Sequence, residues 1–363
     1  MQDFQLEEYL SSGTERILRS IVKISDPKGS FFLLQFMAAE KRARNMRREA
    51  EERGEHIPPF LIASITSRCN LYCKGCYARA NGACTEGFDS GELTGEQWGD
   101  IFLQAENLGI SFVLLAGGEP LMRRDVLEEA GKHKDLLFPV FTNGTMIGDD
   151  DLQMFAHKRN LLPVLSIEGD REQTDARRGD GIYSAVSQTM KSLKERRLLF
   201  GVSVTVTNEN LKEVTSEEFI RGLADTGCKA VVYVEYVPAD GKTQHLAPGE
   251  KEREEFERRL FHLRKKQEDM MFISFPGDEK ASGGCLAAGR GFFHINAAGS
   301  AEPCPFSPYS DTSLVHTSLR EALRSPLFLK LRGSKRLEEF HSGGCALFEQ
   351  EQMVKAMLEG EEA

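Results

Sequence analysis

Three cysteines, Cys69, Cys73 and Cys76, stand close together with the spacing CxxxCxxC. This spacing is too short for a disulfide framework, but three thiolates can converge on one iron–sulfur cluster. Three thiolates leave one iron of a cubane without a protein ligand, so that iron can bind a substrate or a cofactor. A closed zinc site is the alternative, but it needs a further ligand and only Cys84 lies nearby in the sequence. The spacing therefore favours an open iron–sulfur cluster.

The run from Cys69 to Cys76 resembles the signature of the radical S-adenosylmethionine (SAM) enzymes. The resemblance implies a [4Fe–4S] cluster whose open iron is chelated by the amino and carboxylate groups of SAM. It also implies a reductant such as flavodoxin or ferredoxin, whose electron cleaves SAM to a 5′-deoxyadenosyl radical. One departure is Gly75, which stands where the family usually has a bulky side chain near the adenine. Tyr77 is a candidate to take over the stacking.

The composition predicts a globular chain without a broad nucleic-acid surface. Its 363 residues are 40% hydrophobic and 28% charged, enough for one large domain and a smaller one. The 46 basic and 56 acidic residues give a net charge of −10, which disfavours electrostatic binding of nucleic acid. Eight cysteines, three of them with cluster spacing, and an acidic start without a signal peptide indicate a reducing cytoplasm.

Residues 1–56 form a predicted N-terminal helical region, with helices at 7–23 and 31–53. The apolar run at 31–39 is shorter than the ~20 residues that span a bilayer. The basic residues that follow allow an interfacial membrane helix or a partner-binding helix. A helix packed on the main domain with its basic face in solvent is the favoured alternative.

Residues 57–240 alternate apolar strand-like runs with helical stretches, which predicts an α/β domain with a parallel sheet. The predicted strands are 60–66, 112–116, 139–142, 164–168, 202–207 and 231–237. The resemblance implies the partial (β/α)6 TIM-like barrel of the radical SAM family. Ligands of α/β barrels bind at the carboxyl ends of the strands, so functional residues are expected there.

The second predicted strand ends in Gly117, Gly118, Glu119 and Pro120. The glycines allow backbone groups to approach a ligand closely, and Glu119 supplies charge. Alone, this run is an ordinary turn. About forty residues after the cysteines and directly after a strand, it matches the GGEP segment that receives the SAM amino group in the family.

Polar residues also follow the third, fourth and fifth predicted strands. Ser166 and Glu168 share one face of their strand, where a hydroxyl and a carboxylate suit the ribose or methionyl groups of SAM. Asn143 and Asn208 stand at strand exits, with turn or helix-capping roles as the alternative. Arg178 lies in a run that resembles the family's Asp-x-x-Arg-Gly, which implies a contact with the SAM carboxylate; a surface salt bridge is the alternative.

The chain changes character after the sixth predicted strand. Residues 241–276 are predicted to be a charged helix and a linker, and residues 277–363 a small cysteine-bearing α+β module. The run around Phe293 and Ile295, followed by a glycine-containing turn, predicts a hairpin that presents Cys285 and Cys304.

This tail resembles the auxiliary-cluster modules called SPASM and, in shortened form, twitch. Cys285, Gly299 and Cys304 match the opening of the SPASM pattern, whereas Cys345 is the only later thiol. The resemblance implies a second [4Fe–4S] cluster on Cys285, Cys304 and Cys345. A Cys3His zinc site, completed by His294 or His341, is the alternative.

Two cysteines remain. Cys228 is expected to be a buried core thiol. Cys84 lies close in sequence to the first three cysteines, and it is a candidate hydrogen-atom donor or cluster ligand.

The sequence therefore predicts a radical SAM enzyme that uses a second cluster to modify a peptide or protein. A small-molecule, cofactor-precursor or lipid substrate is the alternative. A non-catalytic electron carrier or metal-binding scaffold is disfavoured, because it would need neither the GGEP turn nor six βα units.

Overall fold

The computed structural model describes residues 27–85, 91–267, 269–334, 337 and 345–359. The helix predicted at 7–23 and His341 lie outside these ranges.

One sheet organises the described chain. Its strands are β1 (Phe60–Ser64), β2 (Phe112–Ala116), β3 (Phe138–Thr142), β4 (Leu161–Ser166), β5 (Gly201–Val206), β6 (Ala230–Glu235), β7 (Met271–Phe275), β8 (His294–Ile295) and β9 (Ala301–Glu302). The order across the sheet is β7-β6-β5-β4-β3-β2-β1-β8-β9. Strands β1 to β8 pair in parallel, and only β9 runs antiparallel, in a hairpin with β8. The six predicted strands and the predicted hairpin are confirmed.

The sheet curls into a partial barrel. Phe60 of β1 and Phe275 of β7 lie 6.3 Å apart between ring centroids, although five strands separate β1 from β7 in the sheet. In a flat sheet those two strands would be about 29 Å apart. The predicted α/β partial barrel is therefore confirmed.

Helices cover the connections between strands. They are α1 (Pro27–Glu52), α2 (Tyr77–Ala80), α3 (Gly95–Leu108), α4 (Arg124–Ala130), α5 (Asp149–His157), α6 (Arg171–Arg178), α7 (Ile182–Glu195), α8 (Leu211–Val214), α9 (Glu217–Asp225), α10 (Glu250–Lys266), α11 (Leu319–Ala322), α12 (Pro326–Gly333), α13 (Ala346–Glu349) and α14 (Glu351–Glu359). The α3 helix shows how the sequence sets their bounds. Thr94 and Gln97 form a capping box at its start, and Gly109 ends it with a φ of 83°.

The two faces of the strands have different surroundings. In β2, Val113 and Leu115 are fully buried, whereas Phe112 and Leu114 are partly exposed. Successive side chains of a strand point to opposite faces, so one face packs under the helices and the other lines the interior of the barrel.

Helix α1 packs on the amino-terminal ends of the strands. Phe36 is fully buried with its ring 5.4 Å from that of Phe112, and Phe32 and Leu33 join the same cluster with Leu137. The packed helix favoured from the sequence is thus the arrangement found. Among the described residues, no helix combines the length and the apolar composition that crossing a membrane requires.

Phe36→Ala is expected to lower the free energy of unfolding by about 3–5 kcal/mol, because it leaves a cavity in this cluster. Anaerobic urea unfolding followed by circular dichroism measures the change. Phe31→Ala on the same helix is the matched control, since Phe31 is 62% exposed and its loss should change stability by less than about 0.5 kcal/mol. Equal losses for both variants would contradict the packing of α1.

The segment predicted as a helix and linker, 241–276, extends the sheet. The α10 helix buries Leu260 and Leu263, and β7 pairs with β6 over its whole length. The short run at 271–275 was not predicted to be a strand because a proline and a glycine follow it directly. The predicted domain boundaries stay predictions.

Candidate active site

The three-cysteine loop follows β1 at the carboxyl end of the sheet. Cys69, Cys73 and Cys76 are partly buried free thiols. The Arg79 guanidinium donates hydrogen bonds to the Leu71 carbonyl at 2.8 Å and to the Cys69 carbonyl at 3.5 Å. Arg79 thus holds two backbone carbonyls of the loop together and restricts its conformation.

The surroundings of these thiols fit an anionic iron–sulfur cluster. The Leu71 amide points at the Cys69 sulfur at 3.5 Å, and Arg178 Nη1 lies 4.0 Å from the Cys73 sulfur. Burial raises the pKa of Cys69 to about 11, against the effect of the Leu71 amide. A bound metal would offset that penalty, because metal ligation requires the thiolate.

A single zinc ion fits less well. Among the described residues, no three His, Cys, Asp or Glu side chains converge as closely as one metal ion needs. A cubane is larger than a single ion, so its ligands stand further apart.

The GGEP turn packs against the backbone that leads into the cysteine loop. The Gly118 and Glu119 amides donate to the carbonyls of Thr66 at 2.8 Å and Arg68 at 2.7 Å. A Cβ on Gly118 would lie 1.9 Å from the Arg68 carbonyl oxygen, and Gly117 has a φ of 116° with its Cβ position 2.4 Å from the Thr66 carbonyl oxygen. Both glycines are therefore needed to join the ends of β1 and β2.

Gly118→Ala is expected to lower SAM affinity and thermal stability, because the obstructing atom belongs to the backbone and cannot rotate away. Equilibrium dialysis of the reconstituted protein and thermal unfolding measure the two effects. Gly222→Ala is the matched control: no atom lies within 4 Å of its Cβ position, and alanine should stabilise helix α9 by about 0.5–1 kcal/mol. Wild-type SAM affinity in Gly118→Ala would refute this reading of the turn.

The Glu119 carboxylate is held by protein donors. It is 1% exposed and accepts hydrogen bonds from the Thr142 hydroxyl at 2.7 Å and from the amides of Asn143 at 2.8 Å and Leu121 at 3.1 Å. Burial raises the pKa of Glu119, and these hydrogen bonds oppose that shift. Glu119 thus ties the β2 exit to the β3 exit, and its contact with SAM stays a prediction. Pro120 begins the short helix that follows.

The two asparagines have different surroundings. Asn143 donates to the Asn70 side chain at 2.8 Å, which connects the β3 exit to the cysteine loop. Asn208 instead donates to the His245 carbonyl, and its amide bonds to the Leu246 carbonyl at 3.0 Å. Asn143 therefore lies at the cysteine loop, while Asn208 bonds to the 244–246 segment.

Glu168 and two arginines form a buried ionic cluster beside the cysteine loop. Glu168 is 1% exposed. Its Oε1 lies 2.6 Å from Arg177 Nη1 and 2.7 Å from Arg178 Nε. Its Oε2 accepts a hydrogen bond from the Thr205 amide at 3.0 Å. Burial opposes the charged form of Arg178, but Glu168 and Cys73 nearby raise its pKa overall. The surface salt bridge considered for Arg178 is therefore a buried one.

Ser166 remains available for a ligand. It is partly exposed at the end of β4, opposite Ser203 of β5, and within the described chain its hydroxyl has no hydrogen-bond partner. Ser166 lies on the interior face of the barrel, and its contact with SAM stays a prediction.

Tyr77 faces the C-terminal part of the chain. Its ring lies 4.9 Å from that of Phe306, and its hydroxyl is close to Cys76 and Cys304. Burial raises the pKa of Tyr77. Its stacking on adenine stays a prediction.

Tyr236 occupies the space beside Gly75, a neighbour that the sequence did not reveal. Gly75 has a φ of 66°, and a Cβ there would lie 1.9 Å from the Tyr236 hydroxyl oxygen. Tyr236 follows β6, is 2% exposed and shares a hydrogen bond with the Thr243 hydroxyl. An aromatic side chain from a distant strand thus fills the place that a side chain at position 75 would take.

A buried brace of Glu92 and Arg123 was also missed. The Glu92 carboxylate accepts a hydrogen bond from the Ser67 amide at 2.6 Å and forms an ion pair with Arg123 at 3.2 Å. Arg123 in turn donates a hydrogen bond to the Ile65 carbonyl at 3.0 Å. This brace supports the segment between β1 and Cys69. No local pattern in the sequence marks either residue.

The three C-terminal thiols lie in one part of the structure, and their role as cluster ligands stays a prediction. Cys285 and Cys304 are buried, Cys345 is partly buried, and the three thiols lie close to one another. The Cys345 contact and burial raise the pKa of Cys304, and burial raises that of Cys285.

His294 is the described histidine of the zinc alternative. Its Nε2 lies 2.7 Å from the Ser64 hydroxyl and its Nδ1 lies 2.7 Å from Glu302 Oε2. Both ring nitrogens therefore have protein partners in the metal-free chain. This arrangement does not favour the zinc set completed by His294, and the set with His341 lies outside the described residues; both stay predictions.

The remaining cysteines differ in their surroundings. Cys228 is fully buried and donates to the Ala230 carbonyl at 3.2 Å, as expected of a core thiol. Cys84 is buried close to Cys69, Cys73 and Cys76, and burial raises its pKa. Its position keeps the two predicted roles open.

Comparison with known proteins agrees with this geometry. Residues 63–220 match the Radical SAM superfamily. The chain is 26% identical to an AdoMet-dependent heme synthase of Methanosarcina barkeri (strain Fusaro / DSM 804) over 80% of this chain and 88% of that protein. It is 24% identical to the antilisterial bacteriocin subtilosin biosynthesis protein AlbA of Bacillus subtilis (strain 168), over 76% of this chain and 61% of AlbA.

Among solved structures, SuiB of Streptococcus suis bound to S-adenosylmethionine superposes with a TM-score of 0.67 at 17% identity, over 84% of this chain and 77% of SuiB. At that identity the likeness shows the fold alone. The fold, the three-cysteine loop and the family match define a SAM-dependent radical enzyme. Residues 63–220 thus form a radical SAM domain, and the chain is an enzyme rather than an electron carrier.

Proposed function

We propose that this radical SAM enzyme acts on a small molecule, a tetrapyrrole with carboxylate side chains, and that it uses a second cluster in doing so. The observation that carries the proposal is the extent of the match to the heme synthase, which covers 88% of that protein. The match to AlbA covers 61% of that protein. The sequence alone favoured a peptide or protein substrate, and the comparisons support the small-molecule alternative better.

The interior face of the barrel supports a flat apolar substrate. Its partly exposed strand positions include Ile62, Leu114, Phe141 and Ile273, and helix α1 covers the amino-terminal end. Arg177 and Arg178 lie at the carboxyl-terminal end of the strands, near the cysteine loop. Ligand sites are mostly apolar with a few placed polar groups, and such a site suits a porphyrin ring with its carboxylates at the mouth.

The first site would hold the cofactors. Cys69, Cys73 and Cys76 would ligate a [4Fe–4S] cluster which, when SAM is bound, supplies the 5′-deoxyadenosyl radical. The backbone of Gly117 to Pro120 would receive the SAM amino group. Further predicted contacts come from the side chains already described: Asn143, Ser166, Glu168, Arg178 and Tyr77.

The second cluster would lie beside the first site. Asn81, in the loop that follows the cysteines, donates to the Pro305 carbonyl at 3.2 Å, and the rings of Tyr77 and Phe306 are in contact. Cys304 therefore stands next to the segment that carries Cys76. This proximity supports electron exchange between the two sites during turnover.

If both triplets ligate cubanes, the reconstituted protein should contain about eight irons per chain. The triple variant Cys285→Ala, Cys304→Ala, Cys345→Ala should lose about half of that iron and still cleave SAM, because the triplets share no ligand. Iron analysis and 5′-deoxyadenosine formation measure both effects. Cys228→Ala should keep the full iron content. One cluster and one tightly held zinc in the wild type would overturn the second cluster.

The substrate proposal is tested by anaerobic incubation with SAM, dithionite and iron coproporphyrin III. We expect the porphyrin to change mass together with formation of 5′-deoxyadenosine, as followed by mass spectrometry. The variant Cys69→Ala, Cys73→Ala, Cys76→Ala should still shift the porphyrin absorption on binding but leave its mass unchanged. Modification of a peptide encoded beside the gene, with the porphyrin unchanged, would instead support the peptide reading that the likeness to AlbA keeps as a second candidate.

A further inference from the structure

Ser64, His294 and Glu302 form a buried chain of hydrogen bonds. The Ser64 hydroxyl lies 2.7 Å from His294 Nε2, and His294 Nδ1 lies 2.7 Å from Glu302 Oε2. The Asn296 side-chain amide donates to the other Glu302 oxygen at 2.7 Å. All three members of the chain are less than 9% exposed. Both carboxylate oxygens thus face nitrogen atoms, and the chain ends at a serine hydroxyl.

Ser64 faces the interior of the barrel at the carboxyl end of β1. Phe60 meets Phe275 across the barrel, and Ser64 stands four residues after Phe60 on the same strand. Residues at even separation in a strand share one face, so Ser64 points to the same side as Phe60. Its partner in β2 is Ala116, the residue before the GGEP turn. A ligand group at Ser64 would therefore lie next to the proposed SAM site.

Two neighbouring strands bring His294 and Glu302 to the same face. His294 of β8 pairs with Ile62 of β1, two residues before Ser64, and Glu302 of β9 is the direct partner of His294. Directly paired residues of adjacent strands project to the same side of a sheet. The β8–β9 hairpin thus brings a carboxylate and an imidazole to the edge of β1, where the imidazole reaches the serine.

The Ser64 hydroxyl has room for a ligand among its hydrogen bonds. Within the described chain His294 is its only partner, whereas a hydroxyl offers one donor and two acceptor positions. With a proton on each ring nitrogen, His294 donates to Glu302 and to Ser64, which leaves the Ser64 O–H for an acceptor. The positive imidazole then lies close to that acceptor, so a negatively charged acceptor is favoured.

We propose that Ser64 binds a carboxylate of the substrate and that His294, held by Glu302, is the positioning residue for the Ser64 hydroxyl. This site rests on the proposed function, because the tetrapyrrole supplies the carboxylate. It adds which part of the substrate lies beside the GGEP turn, namely an arm that ends in a carboxylate. The alternative is a chain that only fastens the β8–β9 hairpin to β1, and such a chain would not distinguish a charged substrate from a neutral one.

The test compares iron coproporphyrin III with its tetramethyl ester, which has the same ring without the negative charges. Binding to the full chain, reconstituted with iron and sulfide and kept without reductant, is followed anaerobically by porphyrin absorption. We expect the wild type to bind the acid more tightly than the ester. Ser64→Ala should reduce this preference at least about tenfold, the effect of losing a hydrogen bond to a charged group, and Ser64→Thr should retain it. His294→Gln carries no charge and should reduce the preference by a similar factor.

Ser274→Ala is the matched control. Ser274 is a buried serine of β7 whose neighbour Phe275 faces the interior, so Ser274 points to the outer face and its loss should leave the preference unchanged. An unchanged preference in Ser64→Ala or in His294→Gln would overturn the carboxylate site; if Ser64→Ala does not fold, His294→Gln decides. Equal binding of acid and ester by the wild type would also overturn the site, while the tetrapyrrole substrate would stand. A wild type that binds neither compound refutes the proposed substrate, and this site with it.

Discussion

Each of the variants Cys69→Ala, Cys73→Ala and Cys76→Ala is expected to reduce the conversion of SAM to 5′-deoxyadenosine to background. Each thiol is one of only three in the loop, and a cluster cannot lose one of three protein ligands and still present its open iron to SAM. Anaerobic reconstitution, reduction with dithionite and chromatographic detection of 5′-deoxyadenosine measure the effect. Iron content should fall by about half if the C-terminal cluster remains.

Cys84→Ala separates the possible roles of the fourth thiol near this loop. If Cys84 donates a hydrogen atom, the variant keeps its iron and SAM cleavage but loses substrate turnover. If Cys84 is a ligand, the iron content falls as in the other variants. Cys228→Ala is the control for loss of a buried thiol, and it should keep its iron, SAM cleavage and substrate turnover.

Undiminished SAM cleavage in Cys73→Ala would exclude that residue as a ligand.

The parts of the site that local patterns encode were predictable. The CxxxCxxC spacing, the glycines at the β2 exit and the alternation of strands and helices are each read from a few neighbouring residues. They correctly indicated the partial barrel, whereas the two sets of cysteine ligands stay predictions. The glycines illustrate the reason. At Gly118 any side chain would collide with the backbone, so the need for glycine at this turn can be read from a single residue.

The parts that depend on distant contacts were not predictable. Tyr236 meets Gly75 only after the barrel has curled, and Glu92 meets Arg123 only after α3 has packed. A local pattern therefore predicts the ligands, while the side chains that hold the cysteine loop in place come from tertiary packing.

Arg178 shows the same limit for a single residue. The sequence allowed either a SAM contact or a surface salt bridge for Arg178, because burial cannot be read from it directly. In the structure, Arg177 pairs with the Glu168 carboxylate, as Arg178 does, and Arg178 lies within 4.0 Å of the Cys73 sulfur. Glu168 thus holds two guanidinium groups beside the cysteine loop, which makes it the residue whose loss should disturb the site most after the cysteines.

Glu168→Ala is expected to lower the free energy of unfolding by about 3–5 kcal/mol, the usual cost of leaving a buried charge without its partner. Here two arginines lose their shared carboxylate, and the Thr205 amide loses its acceptor. The freed guanidinium groups repel each other, so Arg178 should move from Cys73 and SAM affinity should fall. Anaerobic urea unfolding and equilibrium dialysis with SAM measure the two effects.

Two further variants separate charge from packing. Glu168→Gln keeps an acceptor of similar shape without the charge, so its loss of stability should lie between those of wild type and Glu168→Ala. Glu172→Ala removes an exposed carboxylate from the first turn of α6, and it should change stability by less than about 0.5 kcal/mol. If Glu168→Ala binds SAM as tightly as the wild type despite its lower stability, the ionic cluster supports the fold only, and Arg178 does not contribute to the SAM site.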